Sequence, residues 1–294
     1  MTFLSGFVAI VGPPNVGKST LLNRVLGTKM AIISPKPQTT RNRIIGIYHG
    51  EQYQIVFMDT PGIHKTRSLL HKSMVTSAKA AFKEVDIVVV MIELPSPDPP
   101  EISMILANLK TVRKPAVLVI NKIDLKQRKS ILPVIEAYKD RYPFKTIIPI
   151  SALRGEGVEV LLEELKALLK PGPAFFPPEM KTDQPESFLV SEIIREKIYL
   201  LTKKELPYAC AVNVELMEGV PEKNFLRISA KIHVESESQK KILIGRGGRM
   251  IRDIGQAARL EMEKIFGARV YLDLLVRVEK NWTRDAKALR RLGY

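Results

Sequence analysis

Residues 12–20 read Gly12-Pro13-Pro14-Asn15-Val16-Gly17-Lys18-Ser19-Thr20, and their spacing is that of a phosphate cradle. The apolar run Phe7–Val11 precedes the loop, and the helical pattern Leu21, Leu22, Val25, Leu26 follows it. A strand that feeds a glycine loop into a helix aims backbone N–H groups and the positive end of a helix dipole at one spot. Glycine supplies the backbone angles and close approach such a loop needs. Lys18 can then reach the outer phosphates, and the Ser19 hydroxyl can ligate Mg²⁺.

Three further segments extend that chemistry. Asp59-Thr60-Pro61-Gly62 follows the apolar run Ile55–Met58. Its carboxylate can hold Mg²⁺ through a water, and the Gly62 N–H can meet a third phosphate. Asn121-Lys122-Ile123-Asp124 closes the run Ala116–Ile120. Guanine carries N1–H and an exocyclic amine side by side, and a carboxylate at Asp124 can accept from both. Adenine offers no such pair, so a buried Asp124 left without those donors would cost about 1–3 kcal/mol. Asn121 is expected to brace the loop and reach the base, with the Lys122 stem along the purine face. Ser151-Ala152-Leu153, after Ile147–Ile150, can offer backbone N–H groups to the guanine O6. The expected ligands are therefore GTP and GDP with Mg²⁺.

Pro35–Arg41 reads as a loop between the first helix and the second strand. One of its threonines, Thr40 in preference to Thr39, can add a hydroxyl to Mg²⁺ only when a third phosphate is present, as in a two-state switch. Lys18, Thr40, Asp59 and Gly62 are thus the expected catalytic set. After Gly62 stands Ile63, where many GTPases place a glutamine that orients the attacking water. Isoleucine cannot orient water, so intrinsic hydrolysis is expected to be slow, with the stimulus coming from a partner or a bound monovalent cation.

Alternating apolar runs and helical patterns must position these residues. Strands are expected at Val8–Val11, Ile44–Tyr48, Ile55–Met58, Ile87–Ile92, Ala116–Ile120 and Ile147–Ile150. Helices are expected at Leu69–Lys83, Glu101–Lys110, Ile131–Asp140 and Val158–Leu169. The runs Ile87–Ile92 and Val117–Ile120 are apolar on every residue, as in central strands covered on both faces. The fold class is α/β, a P-loop domain with a doubly wound, mainly parallel sheet, over residues 1–170.

Five prolines between Pro171 and Pro185 mark residues 171–186 as an extended, stiff connector. Beyond it, helix Ser187–Leu206, strands Ala209–Leu216 and Phe225–Val234, helices Ser238–Ile244 and Arg249–Phe266, and strand Val270–Val278 give an α+β unit, α-β-β-α-α-β. A terminal helix is expected at Thr283–Leu292, which completes a second domain over 187–294. Between its two central helices lies Ile244-Gly245-Arg246-Gly247-Gly248-Arg249, a G-x-x-G turn that lets a phosphodiester backbone pass close to the main chain. Lys240, Lys241, Arg246, Arg249, Arg252 and Arg259 against Asp253 give this stretch a net +5. Ile244 and Ile251 are candidates for an apolar floor under unstacked bases. A KH-type RNA site at Lys240, Lys241, 244–249 and Ile251 is the reading these features support.

Over 294 residues, 45% hydrophobic and 26% charged, the composition is that of an ordinary folded protein. A net charge of +15 calls for a polyanion, which nucleic acid or an anionic membrane surface could supply. That excess is +9 in residues 1–179 and +6 in 180–294. Cys210 is the single cysteine, which excludes a disulfide framework. No basic leader precedes the first strand, so a cytoplasmic location is expected. A non-catalytic, nucleotide-stabilised RNA scaffold is the alternative to a GTP-hydrolysing switch.

In combination these segments resemble the Era-type GTPases, which join a Ras-like G domain to a C-terminal type II KH domain. The resemblance runs through 12–19, Q-T-T-R at 38–41, D-T-P-G at 59–62, N-K-I-D at 121–124 and S-A-L at 151–153. It continues through S-E-I-I-R-E-K at 191–197, E-L-P-Y at 205–208, I-G-R-G-G at 244–248 and the terminal A-L-R-R-L-G-Y. It implies a bacterial assembly factor of the small (30S-type) ribosomal subunit, with the KH domain on the 3′ end of small-subunit ribosomal RNA under the control of GTP. No DNA partner is expected. It also implies peripheral association with the inner face of the cell membrane. Ile63 fits a subgroup in which an asparagine matching Asn15 helps hold K⁺. Gly247 replaces one of the polar or basic pair usual inside the G-x-x-G, a departure that would loosen the RNA contact.

Overall fold

Strand β1 (Leu4–Val11) lies in the middle of the N-terminal sheet because both of its faces are apolar where they meet neighbours. The computed structural model describes residues 2–33, 41, 44–59, 84–94, 98–125, 128–220 and 224–294. The expected helix Leu69–Lys83 and the residues Thr39, Thr40, Thr60, Pro61, Gly62 and Ile63 lie outside them.

The sheet runs in the order β2 (Ile44–Gly50), β3 (Tyr53–Asp59), β1, β4 (Ile87–Glu93), β5 (Ala116–Asn121), β6 (Thr146–Pro149). All of these pair in parallel except the hairpin of β2 and β3. A two-residue strand, β7 (Lys170–Pro171), adds an antiparallel pairing to Leu4 and Ser5. Helices α1 (Lys18–Leu26), α2 (Glu101–Val112), α3 (Ile131–Tyr138) and α4 (Val158–Leu168) cover the sheet. Residues Val88, Val90, Ile92, Leu118 and Ile120 share one core with Ile102, Ile105 and Leu109 of α2 and Tyr138 of α3. The alternate residues Val89, Met91, Val117 and Val119 are equally buried, as the all-apolar runs require. Helix α1 crosses β2 at close range: a Cβ on Gly46 would stand 2.6 Å from side-chain atoms of both Leu22 and Leu26. The sheet places Val11, Asp59, Glu93 and Asn121 along one edge, where ligands of an open α/β sheet bind.

The proline-rich stretch does more than connect. Strand β2 is a sheet edge, and such an edge carries unpaired polar groups that need cover. Ile47 N–H donates to Lys181 O (2.8 Å), Thr182 Oγ1 donates to Ile45 O (2.7 Å), and the His49 ring meets Met180 O (2.8 Å). Gln54, fully buried, accepts from Phe175 N and Phe176 N and donates to Phe176 O. Contacts accordingly divide the chain after Asp183, so the described residues from 171 to 183 go with the first unit.

The second unit has α5 (Glu186–Leu201), β8 (Ala211–Val220), β9 (Phe225–Val234), α6 (Glu237–Ile244), α7 (Arg249–Phe266), β10 (Arg269–Val278) and α8 (Ala286–Arg291). This is the expected α-β-β-α-α-β order with a closing helix. Its sheet runs β10-β9-β8, parallel between β10 and β9 and antiparallel between β9 and β8. Helix α5 stops at Leu201 rather than Leu206, because turns occupy the residues that lead to Pro207. The terminal helix begins three residues later than expected: a tight turn takes Trp282–Arg284, and Asp285 then caps α8, accepting from Lys287 N (2.8 Å) and Ala288 N. Trp282 is wholly buried and donates Nε1–H to Ala209 O (3.1 Å).

Within the α5 turn, Arg195 is 1% exposed and makes a forked pair with Glu192, Nε to Oε1 at 2.7 Å and Nη2 to Oε2 at 2.6 Å. Removing one charge from such a buried pair strands the other. Glu192→Leu is expected to destabilise the second unit by about 3–5 kcal/mol. Urea denaturation, followed by the fluorescence of Trp282, would check it; a loss below 1 kcal/mol would contradict it.

Candidate nucleotide site and nucleic-acid interface

Two glycines shape the phosphate loop through close approach. A Cβ on Gly12 would lie 2.4 Å from Met91 O, and one on Gly17 would lie 2.3 Å from Asn121 Nδ2. Gly17 also sits at φ 100° and Asn15 at φ 62°, in the left-handed region. Helix α1 starts at Lys18 without a side-chain cap, so the dipole end faces the loop. Lys18 Nζ, buried, donates to Gly12 O (3.0 Å) and Pro13 O (2.8 Å). Burial pushes its pKa down to about 8, against the raising effect of the Asp59 carboxylate. At the tip of β3, Asp59 is fully buried, and its Oδ2 accepts from Ser19 Oγ at 2.7 Å. Strand β1 and helix α1 on one side and β3 on the other thus converge two hard oxygen donors, which suits Mg²⁺. The remaining expected contributors, Thr39, Thr40 and 60–62, lie outside the described residues.

The base end is braced as expected. Asn121 donates Nδ2–H to Val16 O (2.7 Å) and accepts at Oδ1 from Ala152 N (2.9 Å), tying the phosphate loop to the Ser151–Leu153 loop. Asp124 Oδ1 accepts from Ser151 Oγ (2.7 Å), and Ser151 Oγ accepts from Arg154 N (3.2 Å). The carboxylate is therefore oriented by a neighbour that leaves acceptor capacity for a ligand. Two details add to the sequence reading. The Lys122 ammonium is paired with Glu93 at the tip of β4, and the Ala152 N–H is given to Asn121. Sequence reasoning also missed Glu93 and Arg24. The latter donates Nε–H to Ala152 O (3.2 Å) and Nη2–H to Leu153 O. Neither residue lies in a motif, and only the register of β4 on β5 pairs Glu93 with Asn121.

In the second unit, Ser236 caps α6 by accepting from Gln239 N. The chain then turns through Gly245 (φ 75°), Gly247 (φ 60°) and Gly248 (φ 76°) into α7. Nothing lies within 4 Å of a Cβ placed on Gly247 or Gly248, so backbone angle rather than space requires glycine there. Arg246 and Arg249 are exposed beside the turn, as is Lys241, with Lys240 partly so. A groove runs from Gly248 along α7 against β10, lined by the apolar Ile251, Leu272 and Leu274 together with Arg252, Gln256 and Arg259. Ile251 lines it as expected; Ile244, like Ile251, is partly buried against the core of the unit and is not among the residues lining the groove. Leu272 and Leu274 were missed because they come from β10, which the fold, not the chain order, brings beside the turn.

These features define a class: a P-loop domain with a mostly parallel sheet, followed by a KH domain. Residues 7–122 match the family model of a 50S ribosome-binding GTPase, and residues 205–283 match that of a KH domain. The chain is 50% identical over 292 residues to GTPase Era of Syntrophus aciditrophicus, covering 99% of this chain and 95% of that one. It is 46% identical over 294 residues to GTPase Era of Caldanaerobacter subterraneus, covering 100% and 99%. A crystal structure of an Aquifex aeolicus Era variant bound to GDP·AlF₄⁻ superposes with a TM-score of 0.95 at 41% identity, covering 100% and 99%. A structure of Era in complex with MgGDPNP and nucleotides 1506–1542 of 16S ribosomal RNA matches equally, with a TM-score of 0.95 at 41% identity and 99% coverage of both chains. The chain belongs to the Era family of GTPases.

A lysine held near pKa 8 must gain a full charge when it meets phosphate. GDP affinity is therefore expected to be flat below pH 8. Above it, affinity should fall by up to about tenfold per pH unit, until the raised pKa of the bound state is reached. Calorimetry at pH 9 in buffers of different ionisation enthalpy should record proton uptake on binding. Affinity rising between pH 8 and 9 would contradict this.

Proposed function

We propose that this chain is a GTP-hydrolysing switch whose C-terminal unit holds the 3′ segment of small-subunit ribosomal RNA during assembly of that subunit. The observation that carries the nucleotide half is the Asp124 carboxylate, fixed by Ser151 at the sheet tips beside a complete phosphate loop. The RNA half rests on the positive-φ glycines of 245–248 beside a groove lined by arginines and apolar side chains. The Era protein captured with MgGDPNP and 16S ribosomal RNA supports joining the two.

In this reading residues 12–20 and Lys18 hold the phosphates. Ser19 and Asp59 hold Mg²⁺, which supplies charge neutralisation on the transferred phosphoryl group. Thr40 and Gly62 recognise the third phosphate. Asn15, at φ 62° in the phosphate loop, would help hold a K⁺ that assists hydrolysis in place of the missing glutamine. The Leu153 and Ala152 loop reads the guanine O6, and Asp124 reads N1–H and the amine. Lys240, Lys241, Arg246 and Arg249 contact phosphates of a single strand, and Ile251 contacts its bases. The protein works in the cytoplasm, and its net charge of +15 supports a secondary, peripheral attachment to the anionic inner membrane face. Among the described residues no helix is long and apolar enough to cross a membrane.

Two substitutions test the halves separately. Asp124→Asn is expected to turn the preference from guanine to xanthine nucleotides, whose C2 carbonyl accepts where guanine donates; competition binding with GDP and XDP reads the switch, and unchanged GDP preference would refute it. Gly248→Asp places a negative side chain on the phosphate path at a φ of 76°. It should reduce binding of a 3′-terminal ribosomal RNA oligonucleotide by at least about tenfold, while leaving GDP affinity unchanged. Loss of both activities together would argue against the division of labour.

A further inference from the structure

Helix α1 carries, near its C-terminal end, an arginine that none of the nucleotide motifs includes. Arg24 reaches across to a loop far along the chain, gripping Ala152 O through Nε–H (3.2 Å) and Leu153 O through Nη2–H. Its stem crosses Gly155, where a Cβ would stand 3.6 Å from Arg24 Cδ and where φ is +85°. A guanidinium presents a rigid planar fork, which matches two successive carbonyls as a single ammonium cannot.

Gripping a carbonyl fixes more than that oxygen. The peptide unit is planar, so holding the Ala152 C=O sets the direction of the Leu153 N–H on the same plane. Holding the Leu153 C=O likewise sets the Arg154 N–H, which donates to Ser151 Oγ, the donor to Asp124. The Ala152 N–H is already given to Asn121 Oδ1, which passes the reading of guanine O6 to the Leu153 N–H. Arg24 stands six residues after Lys18 on one helix, about 9 Å along its axis. The same rigid rod therefore starts at the phosphates and ends at the base loop.

We propose that Arg24 is a positioning residue for guanine recognition: it aims the Leu153 N–H at O6. This rests on the guanine reading above.

The test measures affinities of full-length wild-type, Arg24→Ala and Arg24→Lys proteins for three diphosphates. GDP carries O6, N1–H and the amine, IDP keeps O6 and N1–H, and 2-aminopurine riboside diphosphate keeps the amine but lacks both O6 and N1–H. Arg24→Ala is expected to weaken GDP and IDP alike, by about three- to tenfold and mainly through faster release. It should change 2-aminopurine riboside diphosphate by less than about twofold. Arg24→Lys, which keeps the charge and loses the fork, should show the same pattern at smaller amplitude, and it carries the test alone if the alanine variant does not fold. Equal weakening of all three nucleotides, or of none, would overturn the role of Arg24. A wild-type protein that binds GDP and 2-aminopurine riboside diphosphate equally would instead overturn the O6 reading itself.

Discussion

One side chain holds the nucleotide end of this protein together. Asn121 sits at the tip of a central strand, buried, with its amide spent in two directions: Nδ2–H to Val16 O in the phosphate loop and Oδ1 to Ala152 N in the base loop. An amide can do this because it carries a donor and an acceptor on one planar group. The arrangement constrains its surroundings. Gly17 must lack a side chain because its Cβ would collide with that same Nδ2. Two loops more than a hundred residues apart are thus fixed relative to each other before any ligand arrives. That spares binding the cost of ordering them.

The phosphate end is preorganised in a complementary way. Lys18 is kept in a dry pocket, satisfied by two loop carbonyls and held well below the usual lysine pKa. A cation so poorly solvated gains more from an arriving anion than one already paid for by water. Ser19 and Asp59 meet at 2.7 Å beside it, so the hard donors are close together at the same strand tips. The switch segments that would complete the site are contributed by residues outside those described.

The C-terminal unit uses glycine for another reason. At 247 and 248 no neighbour crowds the missing Cβ; the left-handed backbone is what side chains resist. The result is a turn whose main chain is open to approach, flanked by arginines and continued by a groove between a helix and a strand. The two glycine loops of this chain therefore look alike as letters and differ in physics. Gly12 and Gly17 in the first are crowded by the sheet tips, whereas at Gly247 and Gly248 in the second torsion alone resists a side chain.

Local pattern settled a good deal. The phosphate loop, the all-apolar central strands, the α-β-β-α-α-β order and the identity of Asp59, Asn121, Asp124 and Ser151 are legible because each depends on short spacing or strand period. What the letters left open depends on which distant segments touch. The pairing of Lys122 with Glu93 follows from the register of β4 against β5. The grip of Arg24 on the base loop follows from the packing of α1 beside it. Leu272 and Leu274 reach the groove only because β10 pairs in parallel with β9. The stretch 171–186 reads as a stiff connector, but its residues 180–182 are held to the edge of β2 because unpaired strand groups need partners, a demand composition does not display. Sequence determined which residues could do the chemistry; the tertiary structure decided which others hold them in place, since hydrogen bonds and packing act through space and not along the chain.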